Sequence, residues 1–250
     1  MSKDINIEEF AKKINKDVNK FTEVASKYKL EYIEVYNNHI PKDLCDYFVK
    51  QFKVLKNRGY AGKGSTAHET KLSAKNSEDI YLKPFFGNII DDWDEKHKLF
   101  EKHLVLALSD YMVNHGLFGV EHLGKGIKRY LEEGNDFDVL KKTYDYQTYC
   151  IRKYKKNIGH FRGMHADCSR VTMNRILAVI VYLNDVEEGG ETMFPYLGEK
   201  IKPKIGSVLV FPSYFTHYHM ASIPISDDKY CICMHIQFKK EKENKDGQSD

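Results

Sequence analysis

The sequence predicts an α+β fold in which helices precede a β-sandwich or barrel. Amphipathic helical patterns occupy much of the chain before residue 146, whereas short segments of β-branched and aromatic residues alternate with turn signals after it. No helical pattern lies between these later segments, which is typical of a sandwich or barrel. Apolar residues make up 42% and charged residues 30% of the chain, enough apolar content for a packed core.

Three helices are predicted from apolar residues that recur at three- and four-residue spacing. They cover residues 6–25, the segment that Pro41 opens, and residues 93–115. The apolar stripe of the first contains Phe10, Ile14, Val18, Phe21 and Val24, and that of the second contains Leu44, Phe48, Phe52 and Leu55. We expect the first helix to precede a single domain over residues 31–238, and the charged tail, residues 239–250, to be disordered.

The strands are bounded by turn signals such as Asn184-Asp185 and Gly189-Gly190. Predicted strands are Glu31–Tyr36, Gln147–Tyr154, Arg175–Asn184, Thr192–Tyr196, Gly206–Pro212 and Lys229–Phe238. The stretch from Gly59 to Asp79 has few apolar residues, and we interpret it as a mobile loop that could act as a lid.

Composition and cysteine usage exclude several classes of protein. The formal net charge is only +3, so we expect no nucleic-acid partner. No apolar run approaches the ~20 residues that span a bilayer, and the charged start has no secretory signal, so we expect no membrane association and a cytoplasmic location. Five cysteines without a CxxC pair indicate reduced thiols and disfavour a structural zinc site. Cys231 and Cys233 would share one face of a strand.

The chemistry is concentrated in the tripeptide His165-Ala166-Asp167. On a strand its imidazole and carboxylate would project from one face, as two of the three ligands of a facial Fe(II) site. Either His217 or His219 could supply the third ligand. Lys229 follows His219 by ten residues, and a lysine facing into a barrel would need an anion to pair with. Alternatively, Lys229 is a solvated turn residue after Asp227 and Asp228.

These residues stand within segments that resemble one family, the iron(II)- and 2-oxoglutarate-dependent dioxygenases, and within it the prolyl 4-hydroxylase-like branch. The resemblance covers roughly residues 146–238, with a weaker echo at Tyr32–Phe52. Its segments, in order, are Tyr154–Gly159, His165–Asp167, Arg175–Asp185 (RILAVIVYLND), Glu188–Pro195 (EGGETMFP), Pro203–Gly206, Val210–Pro212, His219 and Lys229-Tyr230. The family implies a double-stranded β-helix (jelly roll) core, here about residues 146–238, with supporting N-terminal helices.

The resemblance also implies roles for individual residues. His165, Asp167 and His219 match the iron ligands, and the ten-residue offset to Lys229 favours His219 over His217. Lys229 matches the partner of the distal carboxylate of 2-oxoglutarate. Thr192 and Tyr154 match positions that contact this cosubstrate, and Arg175 matches an arginine near the substrate opening.

Two departures from the family pattern concern the cosubstrate and the substrate. The spacing from Tyr154 to Gly159 is about two residues longer than usual, which weakens the assignment of Tyr154. His235 stands where the family often has tryptophan, six residues after Lys229. His235 could be a substrate contact or a neighbour of a metal ligand, but we favour its interpretation as a core histidine.

The implied reaction is hydroxylation of an unactivated C–H bond, coupled to oxidative decarboxylation of 2-oxoglutarate to succinate and CO2. The cofactors would be Fe(2+), 2-oxoglutarate and O2, with ascorbate in support. Peptidyl proline is the expected substrate, and a free amino acid or small metabolite is the alternative. Rival hypotheses are a non-catalytic jelly-roll binding module with a relic metal site and a cupin-like zinc hydrolase. No oligomeric state is predicted.

Overall fold

The computed structural model describes residues 32–65, 72–115, 144–146 and 149–239. The predicted helix over residues 6–25 lies outside the described residues, and so does the predicted disordered tail apart from Lys239. None of the described helices is long and apolar enough to cross a membrane.

Two helices pack against one side of the molecule. Helix α1 runs over Lys42–Asn57 directly after Pro41, and helix α2 runs over Trp93–Asn114. Both were predicted from their apolar stripes. The predicted stripe of α1 is buried, namely Leu44, Phe48, Phe52 and Leu55.

Two antiparallel sheets lie face to face and form the predicted sandwich. The larger sheet has the strand order β1-β11-β8-β13-β6-β4-β2, with β5 also paired to β13, and the smaller has the order β10-β9-β12-β7-β3. The strands of the larger sheet are β1 (Glu34–Tyr36), β2 (Gly62–Lys63), β4 (Glu78–Tyr81), β5 (Tyr144–Tyr146), β6 (Cys150–Tyr154), β8 (Arg175–Tyr182), β11 (Val208–Pro212) and β13 (Lys229–Phe238). Those of the smaller sheet are β3 (Lys75–Asn76), β7 (His160–His165), β9 (Thr192–Phe194), β10 (Glu199–Ile201) and β12 (His219–Ala221).

Strand β8 shows how the two faces of the larger sheet divide the core. Successive side chains of a strand point to opposite faces. Leu177, Val179 and Val181 belong to the apolar cluster that includes the helices, whereas Ala178 and Tyr182 belong to the cluster between the sheets. The run RILAVIVY is therefore apolar on both faces because both faces are covered.

The prediction of a loop from Gly59 to Asp79 is wrong in part, since this stretch contributes β2, β3 and the start of β4 to both sheets. Of the residues described there, Lys75 and Asp79 are buried and form an ion pair, Nζ to Oδ2, at 2.8 Å. A charged pair can thus replace the apolar residues expected of a buried strand. The sheets also extend the predicted core of residues 146–238 toward the N-terminus.

Candidate active site

A cavity of about 470 Å³ opens between the two sheets. Its volume falls in the range of small-molecule sites. All eight side chains predicted to act at the site line it, although some are more than 70 residues apart in sequence: Tyr154, His165, Asp167, Arg175, Thr192, His219, Lys229 and His235.

Three of these side chains converge on one point. His165 ends β7, Asp167 follows two residues later, and His219 begins β12 directly opposite His165 in the antiparallel register. Their ligand atoms all lie within 4.8 Å of one another. Asp167 approaches both imidazoles, with Oδ1 3.8 Å from Nε2 of His165 and Oδ2 3.5 Å from Nε2 of His219.

Both imidazoles are held with Nε2 directed toward this point. Nδ1 of His165 lies 2.7 Å from the carbonyl oxygen of Gly163, and Nδ1 of His219 lies 3.2 Å from that of His217. A carbonyl oxygen only accepts, so Nδ1 carries the proton and Nε2 keeps its lone pair. This is the arrangement that metal-binding histidines use.

The protonation states of the three side chains also suit a metal. Burial, together with the neighbouring His219, lowers the pKa of His165 to about 3, and burial likewise lowers the pKa of His219. For Asp167, burial alone would raise the pKa, but the imidazoles of His235 and His219 outweigh it and lower the pKa. Two neutral imidazoles and one carboxylate fit a divalent metal such as Fe(II).

His217, the alternative ligand, lies outside this group. It ends a short 3₁₀ turn, Phe215–His217, and its Nδ1 lies 2.8 Å from the hydroxyl of Thr216. Its Nε2 is buried without a hydrogen-bond partner among the described residues. The structure thus brings His219, and not His217, together with His165 and Asp167.

Burial of His217 predicts a measurable pH dependence of stability. Its pKa is lowered to about 4, first by burial and then by His219, whereas a histidine in an unfolded chain titrates near 6.5. The unfolded state therefore takes up a proton first, and stability falls as the pH drops from about 6.5 toward 4. We expect metal-free His217→Phe protein to lose about 2 kcal/mol less unfolding free energy between pH 7 and pH 5 than wild type. Urea denaturation at both pH values measures this, and an unchanged difference would contradict it.

Lys229, the predicted anion partner, is buried at the start of β13 and is not a solvated turn residue. Its Nζ donates to the carbonyl oxygen of Gly190 at 2.7 Å and lies 5.2–5.5 Å from the ring centroids of Tyr182 and Tyr154. No carboxylate of the described residues lies within ion-pair distance of it. Burial accordingly lowers its pKa. The cation therefore faces the cavity, where the carboxylate of a ligand could pair with it.

Gly190 occupies a backbone conformation that supports this contact. Its φ is +75°, in the left-handed region that favours glycine, and a Cβ there would lie 3.3 Å from Pro224 and 3.6 Å from Lys229. The preceding Gly189 has φ +73°, and a Cβ there would lie 2.2 Å from the carbonyl oxygen of Ile223. The two glycines thus let the turn place the Gly190 carbonyl on Lys229.

Thr192 and Tyr154 line the same cavity as Lys229. Thr192 is fully buried and accepts a hydrogen bond of 2.8 Å from the hydroxyl of Tyr182. Tyr154 is the register partner of Lys229 on β6, and burial raises its pKa well above 10, so its hydroxyl stays protonated. The longer spacing from Tyr154 to Gly159 is taken up by a turn in which Gly159 donates to the carbonyl of Lys155.

Comparison with known proteins identifies this part of the chain. Residues 149–237 match the model of the 2OG-Fe(II) oxygenase superfamily. This part of the chain is similar to a 2OG-Fe(II) oxygenase domain. The resemblance predicted from the sequence is therefore confirmed, and the matched range agrees with the predicted one of about 146–238.

The curated relatives of this part of the chain are prolyl 4-hydroxylases. Prolyl 4-hydroxylase 13 of Arabidopsis thaliana is 29% identical over 28% of this chain and 32% of its own length. A putative prolyl 4-hydroxylase of Acanthamoeba polyphaga mimivirus is 54% identical over 15% of each chain. The chain thus spans a third or less of the length of these two relatives.

Solved structures similar to the chain as a whole confirm the jelly-roll fold. A prolyl-4-hydroxylase of Pseudomonas putida is 15% identical, with 87% of this chain and 98% of that chain covered and a TM-score of 0.54. A prolyl hydroxylase of Trichoplax adhaerens, solved with a hypoxia inducible factor peptide fragment, is 16% identical, with 90% and 92% covered and a TM-score of 0.56.

Two further predicted residues contact the Asp167 segment. Nε2 of His235 lies 3.1 Å from Oδ1 of Asp167, so His235 is a neighbour of a candidate metal ligand and not a histidine of the apolar core. Arg175 donates from Nη1 to the backbone carbonyl of Asp167 at 3.3 Å. Both side chains line the cavity, and a role of either in substrate binding stays a prediction.

The contact between His235 and Asp167 predicts an effect on metal affinity. We expect His235→Leu to weaken Fe(II) binding by about 10- to 100-fold, because the carboxylate loses the donor that orients it. His235→Gln, which can still donate, should lose less. Fe(II) titration under anaerobic conditions measures both, and equal affinity of the leucine variant and wild type would refute the orienting role.

Sequence reasoning missed several residues of the cavity wall. Arg152 on β6 and Lys75 on β3 line the cavity, and both pair with buried Asp79. Cys231 and Cys233 share one face, as predicted, with their Sγ atoms 3.7 Å apart, and this face also lines the cavity. The alternation of β6, in which Arg152 and Tyr154 point the same way, was the available signal for Arg152.

Proposed function

We propose that the protein is an Fe(II)- and 2-oxoglutarate-dependent dioxygenase that hydroxylates an unactivated C–H bond, with peptidyl proline as substrate. One observation carries the proposal: a single cavity holds the group of His165, Asp167 and His219 together with a buried lysine, Lys229, that has no carboxylate partner among the described residues. The prolyl 4-hydroxylase relatives support the reaction type and the substrate.

Each side chain has a defined task in this proposal. His165, Asp167 and His219 hold Fe(II) on one side and leave positions open for a chelating 2-oxoacid and for dioxygen. Lys229 pairs with the distal carboxylate of 2-oxoglutarate, and Thr192 and Tyr154 flank that carboxylate. The cavity walls restrict solvent around the site.

The oxidising power belongs to the cofactors. When bound, Fe(II), 2-oxoglutarate and O2 supply it, and 2-oxoglutarate leaves as succinate and CO2 while one oxygen atom goes to the substrate. The residues of this chain hold and orient those groups. We propose ascorbate as the supporting reductant. We also propose a reducing, cytoplasmic location, and the five unpaired cysteines support that location.

The test is succinate formation from 2-oxoglutarate by the iron-loaded protein, measured with a library of proline-containing peptides. Dependence on iron, stimulation by a peptide, and a product one oxygen atom heavier would support the proposal. Failure of the protein to bind iron or 2-oxoglutarate would favour a non-catalytic binding module. Turnover with a free amino acid but with no peptide would retain the reaction and replace the substrate.

A further inference from the structure

The cavity contains a second cationic region besides Lys229. Arg152 and Lys75, which we call the cationic wall, line the cavity where β6 and β3 face each other, near Tyr81 and Ser65. The nearest carboxylate is Asp79, behind the wall, 2.8 Å from Nζ of Lys75 and 3.1–3.2 Å from Nε of Arg152. Two cations thus share one buried carboxylate.

Arg152 lines the cavity and has few hydrogen-bond partners other than Asp79 among the described residues. Its Nε is used by Asp79, and Nη2 has only the weak acceptor Sγ of Cys150 at 3.5 Å. Among the described residues, no acceptor lies within hydrogen-bond distance of Nη1. A guanidinium presents its donors as a fork that matches a carboxylate in two hydrogen bonds. The Nη1 and Nη2 edge of Arg152 could therefore accommodate a carboxylate in two hydrogen bonds.

Lys75 places a positive charge close to the candidate metal centre. Its Nζ bonds to Asp79 and to the carbonyl oxygen of Ser65 at 3.1 Å, and it lies 5.4 Å from the ring centroid of Phe161. That ring stacks on His165 with the centroids 3.9 Å apart. A single aromatic ring thus separates the wall from a candidate metal ligand, so a group bound to the wall would lie near the reacting centre.

The charges around the cavity do not balance. Among the described residues that line it, Lys75, Arg152 and Lys229 are cationic, while the carboxylate Asp167 is contacted by Arg175 and Asp79 lies just behind the wall. Fe(II) and the 2-oxoglutarate dianion carry equal and opposite charges, so binding both leaves the excess of cations among these described residues unchanged. An unbalanced charge in a poorly solvated cavity is costly, and an anionic ligand would relieve that cost.

We propose that the substrate carries a carboxylate that binds the cationic wall of Arg152 and Lys75 while the hydroxylated carbon lies at the metal. The inference rests on the proposed function and narrows its substrate class to acidic molecules. Two sources supply this chemistry: an Asp or Glu side chain beside the target residue of a peptide, and the α-carboxylate of a free amino acid.

The experiment compares matched probes that differ only in the carboxylate. Proline peptides with Glu or Gln at each flanking position form one arm, and L-proline and L-prolinamide form the other. For each probe, kcat/KM comes from succinate formation, and equilibrium binding is measured anaerobically on protein loaded with Fe(II) and 2-oxoglutarate. We expect wild type to prefer the acid over its amide by about tenfold or more in one arm, which identifies the source of the carboxylate.

Variants then test whether the cationic wall causes the preference for the acidic probe over its amide. In the Arg152→Gln variant the ratio of kcat/KM for the acid to that for the amide should fall to about one. The Arg152→Lys variant should retain part of the preference for the acid. Arg162→Gln is the matched control, because it removes the same charge from an exposed residue of β7 that does not line the cavity. Lys75→Gln is a second variant that leaves the pair of Arg152 and Asp79 intact, and it should also lower the preference.

Three outcomes would overturn the inference. They are equal use of acid and amide by wild type, an unchanged preference in both wall variants, and no binding of any acidic probe by protein that binds Fe(II) and 2-oxoglutarate. Failure of the wild-type protein to bind iron or 2-oxoglutarate would instead overturn the proposed function and the inference together. Hydroxylation of an acidic probe at a residue other than proline would support carboxylate binding by the cationic wall. Only the assignment of proline as the hydroxylated residue would then change.

Discussion

Replacing His219 with alanine should abolish iron-dependent succinate formation, with a fall of at least about 100-fold in both Fe(II) affinity and turnover. The imidazole supplies one of three donors, and its Nε2 is directed at the shared point by the carbonyl of His217. Changes that only disturb the groups around a metal ligand already cost 10- to 100-fold, so loss of a ligand should cost at least as much.

His217→Ala is the matched control, because it removes an imidazole only two residues away. It should retain turnover within a few-fold of wild type, since its imidazole is not part of the metal group. Anaerobic Fe(II) titration and succinate assays measure both variants. Loss of iron binding by the His217 variant, with binding intact in the His219 variant, would reverse the assignment.

Replacing Lys229 with methionine should raise the KM for 2-oxoglutarate by about 30-fold or more. The side chain has similar length and no charge, so the distal carboxylate would enter a buried pocket without its cation. Truncating one partner of a buried charge pair costs about 2–5 kcal/mol, which corresponds to this range. The Lys229→Met variant should bind Fe(II) about as tightly as wild type, because Lys229 does not contact the metal group.

Two controls accompany this experiment. Lys229→Arg keeps the positive charge and should recover part of the affinity for 2-oxoglutarate. Lys204→Met removes the same charge from an exposed position and should behave as wild type. A KM for 2-oxoglutarate that does not change in the Lys229→Met variant would exclude Lys229 as the carboxylate partner.

Local sequence patterns predicted those parts of the site that depend on spacing within one segment. His165 and Asp167 are close because only one residue separates them, although β7 ends at His165. The offset of ten between His219 and Lys229 spans the loop from β12 to β13, and the family resemblance supplied its meaning. The pairing of β7 with β12 then brings His165 opposite His219. The resemblance to a known family supplied this last step, which spacing alone left open between two histidines.

The alternation of β6 could indicate that Arg152 faces the cavity, but its pairing with the buried Asp79 could not be predicted. Asp79 and Arg152 are 73 residues apart, and nothing in either segment indicates the other. The stretch around Lys75 lacks the apolar alternation of a strand, because its buried positions hold charges that pair with each other. The contact of His235 with Asp167 likewise depends on the approach of the loop after β7 to β13.

Substitutions along strand β8 should fall into two classes, according to the face of the sheet on which the side chain lies. Leu177, Val179 and Val181 pack in the apolar cluster with the helices, while Ala178 and Ile180 line the cavity on the opposite face of the sheet. Saturation mutagenesis of the strand should therefore show a period of two. Alternate positions would govern how much folded protein accumulates in the cell, and the positions between them would govern how fast each folded molecule works.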